Sequence, residues 1–340
     1  MDLFEPIISD DKQHQIFKFL MQSKNEPERE VLLNWANGFQ DRDTKFVQEF
    51  QSTFESSFWE LYTYAVLKEL SVKINMDNKS PDFLCSVNEG EFCIEATISA
   101  PEEDDIPAYG NRLPIIMPNG LDEFNRDAIV RICNSISSKH TKYIASYSKL
   151  THIANKPFVL AIAPFDQPGS HFSTNIPMIA ALYGVYNCES LSTLFNVDHP
   201  ICMKINAVKK RNGAVIPVGY FEDCKHRDIS AIFYNPLATW GKIRALANNT
   251  DKRLQFGTMR HPGIGGEKLV QKISENENYY ESLLDGLYVF HNPHAKYPLP
   301  LETFRNKYVT QYYWDNSGAK VEMPENFLLS RYIIKLRNTE

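Results

Sequence analysis

The chain reads as an α/β fold with a mixed β-sheet flanked by helices, and three observations predict it. A helical pattern over 43–70 runs straight into two short apolar strands, 82–87 and 91–98. The segment 122–148 repeats apolar residues at helical spacing. The run KPFVLAIAPF (156–165) is apolar throughout, the mark of a strand covered on both faces. The order is therefore helix, hairpin, helix, buried strand and a mixed tail.

Taken in order, 11–23 and 27–39 read as short helices, with Pro27 where a first turn tolerates it. The 43–70 pattern is apolar on most sides in its second half, so it predicts a central, buried helix. Strands are expected at 71–76, 82–87 and 91–98, the last two joined by Asn88-Glu89-Gly90 as a hairpin turn. A proline-rich irregular loop spans 100–120, and Asp122 reads as the N-cap of the helix that follows. Residues 176–185 predict a helix, and 214–221, 228–235 and 286–292 predict strands. This divides the chain into a helical N-terminal segment (1–42), a core (43–235) and an accessory C-terminal region packed on it (236–340).

The 340 residues, 43% hydrophobic and 23% charged, have ordinary globular composition for one large or two modest domains. No apolar run approaches the ~18 residues of a membrane span. The acidic start MDLFEPIISDDKQHQ lacks the features of a secretory signal. Six cysteines, Cys85, Cys93, Cys133, Cys188, Cys202 and Cys224, are scattered without a CxxC pair. They read as core residues in a reducing, cytoplasmic setting. A net charge of −6 gives no global basic footprint, so nucleic acid would need a local basic rim. Arg126, Arg131, Lys139 and Lys142 are the candidates for it.

Asp82 and Glu95 sit inside strands otherwise filled with Phe, Leu, Val, Cys and Ile. A buried carboxylate costs several kcal/mol unless something offsets it, and a second nearby adds repulsion. A divalent cation resolves both problems, and Mg²⁺ takes one or two carboxylates plus water and phosphate oxygens. Glu95 and Thr97 are two residues apart and share a strand face. On the 122–148 helix, Ile129, Ile132, Ile136, Tyr143 and Tyr147 form one stripe. Lys139 falls on it, whereas Lys142 points away.

Pro81-Asp82 followed by Glu95-Ala96-Thr97, behind the acid-bearing helix FESSFWELY, resembles the PD-(D/E)xK nuclease superfamily over about residues 50–165. The resemblance implies a restriction-endonuclease-like core and hydrolysis of phosphodiester bonds with Mg²⁺ or Mn²⁺. It maps Glu60 to the helix acid and Asp82 and Glu95 to the metal ligands, with Glu60 holding a second ion or a bound water. Thr97 stands where the superfamily usually has lysine. Some members carry that lysine on the following helix, and Lys139 would suit the role. The FWELY helix and His291-Asn292-Pro293-His294-Ala295 also resemble a group of uncharacterised bacterial proteins. The implied partner is nucleic acid, DNA before RNA, with a homodimer or a partner protein left open. Bacterial defence against foreign DNA is an analogy. The other reading is a catalytically silent scaffold that binds nucleic acid or assembles with other proteins. Convergence of Glu60, Asp82, Glu95 and Lys139 in one open pocket discriminates the two, and a Glu95 that faces bulk solvent favours the scaffold.

Other motifs carry less. The histidines show no HExxH spacing, and His261 and His291 lie near prolines as structural turn residues. GIGGEK (263–268) lacks the full phosphate-loop spacing. Lys209-Lys210-Arg211 reads as a solvated turn.

Overall fold

Thr53 sets the first departure from the expected elements. In the computed structural model, which describes residues 1–102, 105–108, 121–188, 191, 201–262 and 269–336, the 43–70 helix is two helices. After α1 (Gln15–Leu20) and α2 (Glu26–Ala36) come α3 (Phe46–Ser52) and α4 (Phe54–Glu69). Thr53 leaves helical backbone at φ −130°, ψ 52° between them. Its hydroxyl donates to Glu49 O and that of Ser52 to Gln48 O. Such side-chain bonds compete with the helical ladder, and the break falls there.

The hairpin is β2 (Phe83–Val87) and β3 (Gly90–Ser99), with β1 (Lys73–Asn75) antiparallel on its outer edge. Gly90 takes φ +136°, backbone that a side chain would strain, which fits glycine at this turn. From β3 the chain crosses through α5 (Leu121–Ala145) into β4 (Phe158–Pro164), parallel to β3. This crossover sandwiches β3 and β4. On one side Trp59, Leu61 and Tyr62 of α4 join Phe83, Ile94, Val159 and Ala161 in one apolar cluster. On the other, Ile129, Ile132, Ile136 and Tyr143 of α5 join Cys93, Phe158, Leu160 and Ile162. Trp59 Nε1 donates to Ala161 O at 2.9 Å, fixing α4 on β4.

The chain continues through α6 (Ile176–Tyr183), β5 (Val185–Cys188), β6 (Ile201–Lys204), β7 (Ala207–Lys209), β8 (Val215–Pro217) and β9 (Ala231–Tyr234). Next come α7 (Trp240–Leu246), β10 (Leu254–His261), β11 (Val270–Glu275), β12 (Leu287–His291), β13 (Val309–Asp315), β14 (Gly318–Glu322) and β15 (Phe327–Lys335). The large sheet has eight strands in the order β1-β2-β3-β4-β9-β12-β13-β14, and a second sheet pairs β11-β10-β15.

Several expectations need correction. The boundary at 235 does not divide the sheet, because β12, β13 and β14 extend it. The boundary at 42 does not divide the core either: Phe17, Leu20, Leu32 and Trp35 share one apolar cluster with Phe83, Phe233 and Phe304. Strand 214–221 shrinks to three residues, Val215–Pro217. Asp122 lies inside the first turn of α5 and accepts from Tyr186 Oη at 2.7 Å. Cys85, Cys93 and Cys133 are core residues as expected, but Cys202 and Cys224 are exposed. His261 ends strand β10 instead of a turn. His291 is buried with Nε2 2.8 Å from Gln311 Oε1. Much of the 100–120 loop and all of GIGGEK lie outside the described residues. Among the described residues no helix is long and apolar enough to cross a membrane.

Candidate active site

The register of the hairpin decides where its two acids meet. Phe83 pairs with Ile94 as the last pair of the ladder, and Asp82 and Glu95 are the next residues beyond it, close enough for the Glu95 charge to act on Asp82. Asp82 Oδ2 accepts from the backbone N–H of Ala96 at 2.7 Å, which anchors it beside β3.

Glu95 is 3% exposed. Its burial follows from the sandwich, since β3 is covered by α4 and α5 and its inward positions do not alternate with water. Three donors converge on Glu95 Oε1: Lys139 Nζ at 2.7 Å, Lys142 Nζ at 3.1 Å and Tyr147 Oη at 3.1 Å. None of these bonds uses Oε2. Lys142 therefore does not point away from the site. Positions 139 and 142 are one helical step of three apart, and both stems reach the same oxygen. Lys142 is 49% exposed against 21% for Lys139, and its ammonium lies 4.8 Å from the Tyr147 ring centre. Burial pulls the Lys142 ammonium down, but the Tyr147 contact and Glu95 outweigh it and hold it up at about 12.

Glu60 reaches the site from α4 through a residue the sequence reading missed. Arg42, in the turn between α2 and α3, places Nη2 3.3 Å from Glu60 Oε1 and 3.6 Å from Asp82 Oδ1. Its Nη1 donates to Asn78 O at 2.7 Å and to Pro81 O at 3.3 Å. Burial raises Glu60 to about 8, with Asp82 adding to the rise and Arg42 opposing it. Burial likewise raises Asp82 to about 6, with Glu95 adding. A cleft of about 220 Å³ opens beside them, lined by Asp41, Arg42, Glu49, Glu60, Lys79 and Asp82 among others. Glu95 is not part of that lining. Thr97 sits two residues along the Glu95 face and is half-buried.

The expected ligand set narrows here. Among the described residues no three His, Cys, Asp or Glu side chains are spaced to hold one metal ion. Glu60 is separated from the hairpin pair by the Arg42 guanidinium. Asp82 and Glu95 remain a pair of hard oxygen donors whose charges repel, the donor chemistry that suits Mg²⁺ or Mn²⁺ completed by water and phosphate. The expected basic rim is largely engaged. Arg126 pairs with Glu123, Arg131 with Glu102, and both lysines with Glu95. Arg211 of the KKR turn is held by Asp105 and Asp127.

Arg42 carried one faint sequence signal, the charge triplet Asp41-Arg42-Asp43 at the junction of the expected helices 27–39 and 43–70. Tyr147 lay on the apolar stripe and read only as core. No protein-family model, curated protein or solved structure matches this chain.

Proposed function

We propose that this protein is a divalent-metal-dependent nuclease that hydrolyses phosphodiester bonds of nucleic acid, DNA before RNA. The observation that carries the reading is the approach of Asp82, just beyond the last hairpin pair, to buried Glu95, with Lys139 Nζ 2.7 Å from Glu95. Asp82 and Glu95 are the residues that would hold the ion. When bound, the ion supplies a more acidic water and a counter-charge for the phosphate. Glu95, held by three donors on Oε1, keeps a fixed orientation at the strand. Lys139 offsets negative charge at the reacting phosphate and steadies the attacking water. Glu60 orients water at the cleft side through its position beside Asp82. The restriction-endonuclease-like arrangement and a bacterial-defence role belong to this proposal.

One observation favours the silent-scaffold reading: each carboxylate already faces a protein cation, Arg42 or the two lysines. A single assay separates the two. Supercoiled plasmid, single-stranded DNA and RNA are incubated with the protein and Mg²⁺ or Mn²⁺. The nuclease reading expects cleavage that EDTA stops and that Asp82→Asn and Glu95→Gln abolish. Nucleic-acid binding without cleavage, unchanged by either substitution, would favour the scaffold.

A further inference from the structure

Arg42 stands where a cation would have to enter. Asp82 spends Oδ2 on the backbone of Ala96, so Oδ1 is the oxygen turned to the Arg42 guanidinium. Glu60 turns Oε1 to the same nitrogen, Nη2. These contacts are loose. At 3.3 and 3.6 Å they exceed the roughly 2.7–2.9 Å of a well-formed charged hydrogen bond. The firm bond of Arg42 is elsewhere, from Nη1 to Asn78 O at 2.7 Å. One nitrogen is thus anchored to backbone while the other lies lightly between two acids at the wall of an open cleft. Guanidinium keeps its charge at any ordinary pH, so deprotonation cannot release the acids. A competing cation can.

We propose that Arg42 is a built-in counter-cation that a divalent ion displaces from Asp82 and Glu60. This rests on the reading that Asp82 holds such an ion. Displacement frees Nη2 while Nη1 stays on the Asn78 carbonyl, so the guanidinium swings on its anchor and stays at the site. Its next acceptor is an anionic oxygen entering the cleft, where Lys79 also faces. The same residue that neutralises the empty acids then contacts the phosphate.

The test is calorimetric titration of the full-length protein with Mn²⁺ alone, comparing wild type, Arg42→Gln and Lys79→Gln. Displacement predicts that Arg42→Gln binds Mn²⁺ about 5- to 10-fold more tightly, the scale of one partly exposed ion pair. Lys79→Gln removes a cleft charge that makes no ion pair with these acids, and it should tighten binding about 2-fold at most. If Lys79→Gln tightens binding as much as Arg42→Gln, the effect is general charge and the displacement is wrong. If wild type binds Mn²⁺ and Arg42→Gln binds equally or more weakly, Arg42 positions the acids and does not compete, while the nuclease reading stands. If neither binds Mn²⁺, the metal reading falls and the displacement with it. Should Arg42→Gln fail to fold, Arg42→Lys keeps the charge, loses the forked geometry and is expected to bind about 2- to 3-fold more tightly than wild type. Equal or weaker binding would overturn the proposal.

Discussion

Lys139 Nζ lies 2.7 Å from Glu95 Oε1 and ties the middle of helix α5 to the middle of strand β3. Both groups are largely withdrawn from water, so neither is neutral in its effect on the fold or on the chemistry. Lys142 shares the oxygen at 3.1 Å but stands mostly outside.

The two lysines should separate in function. Lys139→Ala is expected to lower metal-dependent cleavage about 10²–10³-fold, the usual cost of one oriented charge-stabilising group. Lys142 remains on Glu95 in that variant, so folding survives with a loss of about 1–3 kcal/mol. Lys142→Ala should cost cleavage less than about tenfold, because its ammonium is half in solvent and screened. Rates on one plasmid substrate with thermal melts check both. Equal rates for wild type and Lys139→Ala would return the role to Thr97.

Tyr147→Phe removes one donor to Glu95 Oε1 and keeps the ring that packs on Phe158. Two lysine donors remain, so the loss should be near 1 kcal/mol, with folding retained. Denaturant unfolding measures it. A loss above about 3 kcal/mol would mean that the hydroxyl carries more of Glu95 than the shared geometry implies.

The acid pair was legible because a hairpin with a short turn fixes register, and register fixes which residues oppose. Asp82 and Glu95 follow from counting back from Gly90. Lys139 followed from helical periodicity. Lys142 did not, because periodicity assigns the Cα direction, and a long stem can reach back over a neighbouring turn. Arg42 was invisible for a different reason. It lies in a turn without periodicity, and the chain brings it to Asp82 only through the packing of α3 and α4. The strands β4, β9 and β12 were each legible as apolar runs, but their order in the eight-stranded sheet was not. Its continuation through β12 and β13 rests on pairings far apart in sequence that no local pattern announces. The break at Thr53 was overridden by the apolar pattern on both sides of it.

Stability should depend on pH through Asp166, just past β4. Asp166 is 4% exposed, with both carboxyl oxygens buried. Burial raises it from 3.8 to about 7, opposed in part by a bond from its own backbone N–H and by Arg131. A raised carboxyl binds its proton more tightly in the folded state. Its contribution is therefore full below about pH 4 and is lost as pH rises to about 7. Asp166→Asn removes this loss. Its unfolding free energy should match wild type near pH 4 and exceed it progressively up to pH 7.5, by at most about 4 kcal/mol at roughly 1.4 kcal/mol per unit, as denaturant unfolding at each pH would show. A gap constant with pH would contradict this.

A second buried charge cluster holds the C-terminal sheet to the core. Lys242 of α7 and Glu281 are both fully buried, and Arg331 of β15 pairs with the same carboxylate. Lys242 also donates to Ser282 O at 3.0 Å and Asp285 O at 2.8 Å. Lys242→Met should cost about 3–5 kcal/mol, because it leaves a buried acid with one charged partner fewer, while Ser282 O and Asp285 O each keep a second donor, Asp285 N–H and Asn235 Nδ2. Chemical denaturation checks this, and a loss below about 1 kcal/mol would show that Arg331 and the Tyr279 hydroxyl satisfy Glu281 without the lysine.

The account turns on whether Asp82 and Glu95 share a divalent ion. Anomalous diffraction from crystals grown with Mn²⁺ tests it most directly. The account predicts a peak at about 2.0–2.2 Å from a carboxylate oxygen of each residue, taking the Mg²⁺ geometry as guide, with the Arg42 guanidinium moved off Asp82 Oδ1. Full-occupancy Mn²⁺ elsewhere in the molecule, with Arg42 still on Asp82 and no peak between the hairpin acids, would contradict it.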